Sequence, residues 1–102
     1  MKYGLKEEEW ERLNNDVFAR NPKIEKVILY GSRAKGTFKP FSDVDITLVG
    51  DNLSSDDLAD IMNEVDDLLL PYMFDISLYH KLNNPELLEH ISRRGVTIYQ
   101  NK

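Results

Sequence analysis

The stretch GSRAKGTFKPFSDVDI, residues 31–46, begins like a phosphate-binding loop and ends like a strand. A Gly-Ser pair closes an apolar run, basic residues follow, and Asp43 and Asp45 then alternate with Val44 and Ile46. Because side chains two positions apart on a strand point to the same face, the alternation predicts a strand with both carboxylates on one face and the core on the other. Aspartate is strongly depleted from strands, so the pair needs an explanation beyond the fold.

A third aspartate lies in a second alternating stretch, MFDISLYH at residues 73–80. Its apolar residues predict a strand that leaves Asp75 on the face away from the core. If the two strands are neighbours, Asp43, Asp45 and Asp75 converge on one patch, where carboxylates repel one another unless a cation neutralises them. Oxygen ligands with room for waters and phosphates suit Mg²⁺. The pattern predicts a divalent-cation site, although a solvent-facing side of an antiparallel sheet would explain any one of these acids alone.

The loop between the apolar run at residues 26–30 and Asp43 has the features of an anion-binding loop. Gly31 allows a tight turn and a close approach of a ligand to the backbone. Ser32 offers a hydroxyl and an N–H group at the start of a predicted short helical turn. Arg33 and Lys35 add positive charge. The chain has no GxxxxGK[ST] sequence, so this is not a Walker A loop.

Periodicity and capping signals predict the remaining elements. Helices are predicted at residues 7–20, 54–70 and 84–95, and strands at residues 26–31, 43–50, 73–80 and 96–100. The resulting order, α-β-(loop)-β-α-β-α-β, predicts an α+β fold. We expect a mixed sheet of about four strands with helices covering one face.

Length and composition narrow the class of protein. The 102 residues, 1–102, predict one domain. The absence of cysteine excludes disulfides and thiolate metal sites. The net charge of −5 argues against broad binding of DNA or RNA, which depends on Lys and Arg. No apolar run approaches the roughly 18 residues of a membrane span and no signal pattern is present, so a cytoplasmic protein without a membrane partner is expected.

The chain contains Gly31-Ser32, then ten residues, and then Asp43-Val44-Asp45. This pattern resembles the GSx₁₀DxD signature of the DNA polymerase β-like nucleotidyltransferase superfamily. In particular the chain is similar to the minimal nucleotidyltransferases (MNT proteins), which contain little beyond the catalytic core. Asp75 falls where that family has its third carboxylate. The likeness extends over the whole chain in element order, and no motif position departs from the pattern.

The resemblance implies in-line attack on the α-phosphorus of a nucleoside triphosphate, with pyrophosphate leaving and two Mg²⁺ ions about 3.5–4 Å apart. Asp43 and Asp45 would hold both ions. Asp75 would complete the site for the attacking hydroxyl. The Gly31 backbone, Ser32, and the cations Arg33 and Lys35 would hold the β- and γ-phosphates.

The family also implies an acceptor that comes from outside the chain, because larger relatives use an added helical domain that we do not find here. MNT proteins are commonly paired with HEPN-domain toxins, and some transfer AMP from ATP to a tyrosine of the toxin. The sequence predicts a protein adenylyltransferase of this antitoxin type. Two alternatives stay open: a binding-only antitoxin without catalysis, and an antibiotic-type nucleotidyltransferase that needs a second subunit. His80 and His90 are isolated and predicted to have ordinary surface or helix-end roles.

Overall fold

The computed structural model describes residues 1–101 and confirms the predicted α+β order. The helices are α1 (Glu7–Asp16), α2 (Ser32–Lys35), α3 (Ser55–Asp67) and α4 (Pro85–Arg94), with 3₁₀ turns at Phe18–Arg20 and Tyr79–Lys81. The strands are β1 (Lys26–Tyr30), β2 (Val44–Val49), β3 (Phe74–Leu78) and β4 (Val96–Gln100). They form one mixed sheet in the order β3-β2-β1-β4, in which β2 and β3 are parallel and β1 is antiparallel to both β2 and β4.

The main core lies between one face of the sheet and helices α1 and α3. Alternate strand residues point into it, and they are fully or almost fully buried together with Leu13 of α1 and Ile61 of α3. A capping box fixes the start of α3, because Ser54 Oγ accepts the Asp57 N–H (3.1 Å) and Asp57 Oδ2 accepts the Ser54 N–H (2.9 Å). The burial of this face forces the intervening strand residues, including the acids, onto the other face.

Helix α4 covers part of that second face, at the β1 side, so the helices do not all cover one face of the sheet as predicted. The ring of His90 makes an edge-to-face contact with Tyr30 (centroids 6.2 Å apart), and Ile28 lies against the helix end at Gly95. Both strand residues alternate with the core residues of β1. Helix α4 therefore bounds the face at β1, and beyond it the face is only partly covered at the acids, with Asp45 half-buried and Asp75 exposed.

The first helix is shorter than predicted. It ends at Asp16, and the chain continues as the 3₁₀ turn, whereas the sequence pattern extended the helix to residue 20. Val17 leaves helical geometry (φ −123°, ψ −68°), which lets the fully buried Phe18 turn into the core. Of the helices formed within residues 1–101, none has the length and apolar character needed to cross a membrane.

Candidate active site

Two of the three predicted carboxylates face each other across neighbouring strands. In the parallel register of β2 and β3, Asp45 pairs with Asp75, and in the antiparallel register of β1 and β2, Asp45 pairs with Tyr30. Paired residues on adjacent strands share a face and lie about 5 Å apart at their backbones. Asp45 is half-buried and Asp75 is exposed. The sheet thus holds two carboxylates side by side next to a phenol.

The environment of Asp45 disfavours its negative charge. Its pKa is raised above the ordinary aspartate value, first by partial burial and then by the negative charges of Asp75 and Asp43, and the charge of Arg33 offsets this only in part. Asp43 is exposed and precedes β2 by one residue. The three acids therefore form a region with excess negative charge, which a bound cation would relieve.

Gly31 brings the backbone of the loop directly against Asp45. It has a positive φ with an extended ψ (φ 79°, ψ −157°), a conformation that side-chain-bearing residues rarely adopt. A Cβ atom added to Gly31 would collide with Asp45 Oδ2. Only glycine therefore lets the loop and the carboxylate approach this closely.

His90 caps the same loop, a role that its isolated position in the sequence did not indicate. The backbone N–H of Gly31 donates a hydrogen bond to His90 Nε2 (3.0 Å). The Gly31 N–H is thus already used within the protein, so this glycine can serve a phosphate through close approach rather than through its N–H. The contact joins residues 59 positions apart, which explains why no local pattern could reveal it.

Arg33 does not lie on the open side of the loop. The sequence pattern predicted it as a nucleotide-binding residue there. Only 1% of the residue is exposed. Its Nε and Nη2 donate to the carbonyl oxygen of Ser42 (3.1 and 2.7 Å), and Nη1 donates to that of Tyr3 (2.9 Å). The guanidinium also lies over the rings of Phe38 and Tyr72, 5.1 and 5.3 Å from their centroids. Its hydrogen-bonding capacity is directed into the protein.

Lys35 and Ser32 remain available on the loop. Ser32 is half-buried at the start of α2, and Lys35 is exposed. Lys35 lies in an open groove of about 520 Å³ between α2 and α4, with His90 in its wall. The remaining lining residues are Thr37, Glu86, Glu89, Arg93 and Arg94. This groove adjoins the loop that contacts Asp45.

Neutral hydroxyl groups complete the sheet face around the acids. Ser77 Oγ donates to Thr47 Oγ1 (3.0 Å) on the neighbouring strand. The pKa of Tyr30 is raised, mainly by burial and further by the charges of Asp75 and Asp45, while a hydrogen bond with Ser77 acts in the opposite direction. Tyr30 therefore stays an uncharged phenol at neutral pH.

The donor set fits a hard divalent cation that a substrate helps to hold. Within residues 1–101, no three or more His, Cys, Asp or Glu side chains are gathered closely enough to form a complete metal site alone. Asp43 accordingly does not join Asp45 and Asp75 in a preformed cluster. Mg²⁺ is typically held by one or two carboxylates together with waters and substrate phosphates, and the facing pair offers carboxylate oxygens of that kind.

A comparison of the sequence with models of protein families identifies one matching family. The model of the family described as "Polymerase beta, Nucleotidyltransferase" matches residues 14–102. No curated protein matches the chain significantly in sequence.

Solved structures share the fold at low sequence identity. A toxin–antitoxin structure with AMP-PNP has a TM-score of 0.70 and 20% identity, with 96% of this chain and 76% of that chain covered. The complex of a tri-AMPylated Shewanella oneidensis HEPN toxin with its MNT antitoxin gives 0.68 and 13%, covering 95% and 74%. The MntA–HepT toxin–antitoxin structure gives 0.66 and 13%, covering 94% and 74%.

Proposed function

Because this chain belongs to the polymerase β nucleotidyltransferase family, we propose that it transfers AMP from ATP to a hydroxyl group of a partner protein. Residues 1–102 would act as one minimal catalytic domain, with the cytoplasm as its expected compartment. The observation that carries the proposal is the pairing of Asp45 with Asp75 beside the Gly31 loop. Two facing carboxylates next to a close backbone approach suit a reaction between a metal-bound polyphosphate and a hydroxyl.

In this proposal Asp43 and Asp45 hold two Mg²⁺ ions, and Asp75 contributes a further oxygen on the acceptor side. When bound, the ions would neutralise the carboxylates and the charge that develops on the attacking and leaving oxygens. The raised pKa of Asp45 supports this assignment, because burial and the neighbouring acids create a charge imbalance that a divalent ion would offset.

The remaining residues of the site position the reactants. Ser32 can donate its hydroxyl to a phosphate oxygen, and Gly31 lets the phosphate chain lie close to Asp45. The ammonium group of Lys35 can neutralise the pyrophosphate end in the groove between α2 and α4. The acceptor oxygen forms a bond to the α-phosphorus as the bond to pyrophosphate breaks, and exposed Asp75 can accept the acceptor's proton.

A protein acceptor is supported by the surface beside the acids. Phe41 and Met73 are 93% and 73% exposed, and each lies two residues before one of the site's aspartates, Asp43 and Asp75. Pro40, Leu70, Pro71 and Tyr72 line a shallow groove with them. Exposed apolar groups in one patch are typical of protein contacts. The fold shared with a chain of a HEPN toxin–MNT antitoxin complex further supports a HEPN-type toxin as the partner.

The test is intact-mass spectrometry of a HEPN-type candidate acceptor protein, after incubation with the chain, Mg²⁺ and each nucleoside triphosphate in turn. We expect a mass gain of one or more nucleotidyl groups with ATP. The gain should disappear with Asp45→Asn and persist with Asp51→Asn, a matched change at an exposed acid in the turn after β2. A tight complex without any mass gain would instead indicate a binding-only antitoxin. Absence of both would favour a small-molecule acceptor.

A further inference from the structure

Arg33 is a buried cation without a carboxylate partner among the hydrogen bonds and ion pairs found within residues 1–101. Its N–H groups donate to the backbone carbonyls of Ser42 and Tyr3 at 2.7–3.1 Å. Burying a guanidinium is expensive unless its donors are satisfied, and an apolar side chain of similar volume often stabilises such a position equally well. Stability alone is therefore a weak reason for an arginine here.

The contacts of Arg33 join two parts of the site. Arg33 lies two residues after Gly31 in α2, and Ser42, whose carbonyl accepts two of its N–H groups, immediately precedes Asp43. The two bonds to one carbonyl fix the direction of the peptide that leads into Asp43. The guanidinium thus links the helical turn that follows Gly31 to the peptide that leads into Asp43.

Surrounding groups hold the guanidinium in place. The ring of Phe38 covers one part of it and the ring of Tyr72 another. Tyr72 is itself fixed, because its hydroxyl donates to Glu9 Oε1 (2.6 Å); burial together with this bond raises the Tyr72 pKa to about 12. The phenol thus stays neutral beside the cation. A side chain immobilised on several sides is suited to positioning other groups.

We propose that Arg33 is a positioning residue that holds Asp43 at a fixed place relative to the Gly31–Ser32 loop, acting through the Ser42 carbonyl. This inference rests on the proposed function, in which Asp43 contacts the metal ions and the loop contacts the phosphates. Arg33 itself would touch neither substrate nor metal. Its loss should therefore impair the chemical step more than the binding of ATP.

The first test is Arg33→Lys, which keeps the charge but loses the planar fork that reaches one carbonyl twice. In the folded variant we expect kcat to fall about 10–100-fold, the range that a misplacement of about 1 Å can produce. The KM for ATP should stay close to that of the wild type, because Ser32 and Lys35 are unchanged. Arg12→Lys is the matched control, since exposed Arg12 donates to the Leu68 carbonyl (2.7 Å), and it should leave both parameters unchanged.

Two further measurements separate positioning from general loss of stability. Added guanidinium at non-denaturing concentration should partly restore kcat in Arg33→Ala and should have no effect on Arg12→Ala. Phe38→Leu loosens the packing but keeps the hydrogen bonds, and it should lower kcat less than Arg33→Lys without changing the KM for ATP. A folded Arg33→Lys protein with wild-type kcat would overturn the inference, and so would losses that only follow the unfolded fraction.

A readout that needs no turnover distinguishes failure of this inference from failure of the proposed function. The backbone amide resonances of Ser42 and Asp43 should move in Arg33→Lys, and the affinity for Mn²⁺, followed by electron paramagnetic resonance, should fall. If the wild type transfers no nucleotide but these changes occur, the positioning role stands and the proposed function fails. If the wild type transfers nucleotide but the amides and Mn²⁺ affinity are unchanged, the positioning role fails alone.

Discussion

Replacing Asp45 by Asn should abolish nucleotide transfer and at the same time stabilise the metal-free protein. In the folded state Asp45 is half-buried and paired with Asp75, and Asp43 lies nearby, so its ionisation is disfavoured. Asparagine has nearly the same shape without the charge. The substitution therefore removes a like-charge pair while it leaves the packing of β2 intact.

The size of the effect follows from the geometry. Charge pairs directly opposite on neighbouring strands change stability by roughly 0.2–1 kcal/mol, so we expect a gain of that order in the free energy of unfolding at neutral pH. For a domain of about 100 residues, 1 kcal/mol corresponds to about 4–8 °C in the melting temperature. Asp51→Asn, at an exposed turn, should remain within about 0.5 kcal/mol of the wild type.

The stability difference between Asp45→Asn and the wild type should depend on pH, in the direction set by the raised pKa of Asp45. Because the folded pKa of Asp45 lies above the unfolded value, the wild type carries no penalty below the unfolded pKa and the full penalty above the folded pKa. The advantage of Asp45→Asn should thus grow as the pH rises through the folded pKa and vanish in acid. Urea unfolding from acidic to neutral pH, with and without Mg²⁺, measures it. A variant that is less stable at neutral pH, or that still transfers nucleotide, would contradict this prediction.

Three other substitutions test separate parts of the site. Gly31→Ala should lower the free energy of unfolding by about 1–3 kcal/mol, measured by thermal unfolding, and abolish transfer, because its Cβ would displace Asp45. The control Gly36→Ala, at φ 81° in open space, should keep its activity. Equal activities of the two variants would contradict this prediction. Lys35→Ala should raise the KM for ATP without changing the melting temperature, and an unchanged KM would exclude Lys35 from phosphate binding. His90→Ala should destabilise the protein by about 1–3 kcal/mol, because the Gly31 N–H loses its acceptor. Amide hydrogen exchange at Gly31 should accelerate in this variant. Unchanged exchange would count against the capping role of His90.

The sheet face carrying the acids could be predicted because alternation is a local property. Val44 and Ile46 fix the direction of Asp45, and the alternation in β3 fixes that of Asp75. A helix between two strands also favours their parallel pairing, and this is the arrangement of β2 and β3. The exact register, which places the two acids opposite each other, is a long-range pairing that no local sequence pattern specifies.

The role of Arg33 could not be predicted because α2 spans only Ser32–Lys35. One turn is too short for a periodic pattern to show which side chains point inward. Arg33 follows a Gly-Ser pair in a basic stretch, so a phosphate contact was the natural expectation. Its actual partners include the Tyr3 carbonyl, 30 positions away, and the position of that segment depends on the whole fold.

The end of the first helix also could not be predicted from the local sequence pattern. Its apolar spacing continues to Val17, and Pro22 supplies a clear stop, so the predicted helix reached residue 20. The core instead draws in Phe18 and ends the α-helix at Asp16. Tertiary packing overrode a local pattern that, by itself, favoured a longer helix.

Nucleotidyl transfer by this chain can be tested directly with ATP labelled at one phosphate at a time. The chain is incubated with Mg²⁺, the HEPN-type acceptor and either α-³²P- or γ-³²P-labelled ATP, and the label on the acceptor and in pyrophosphate is followed. Nucleotidyl transfer at the Asp45–Asp75 pair predicts acceptor label only from the α-phosphate and pyrophosphate label only from the γ-phosphate, with both lost in Asp45→Asn. Label on the acceptor from the γ-phosphate, or transfer that survives Asp45→Asn, would contradict it.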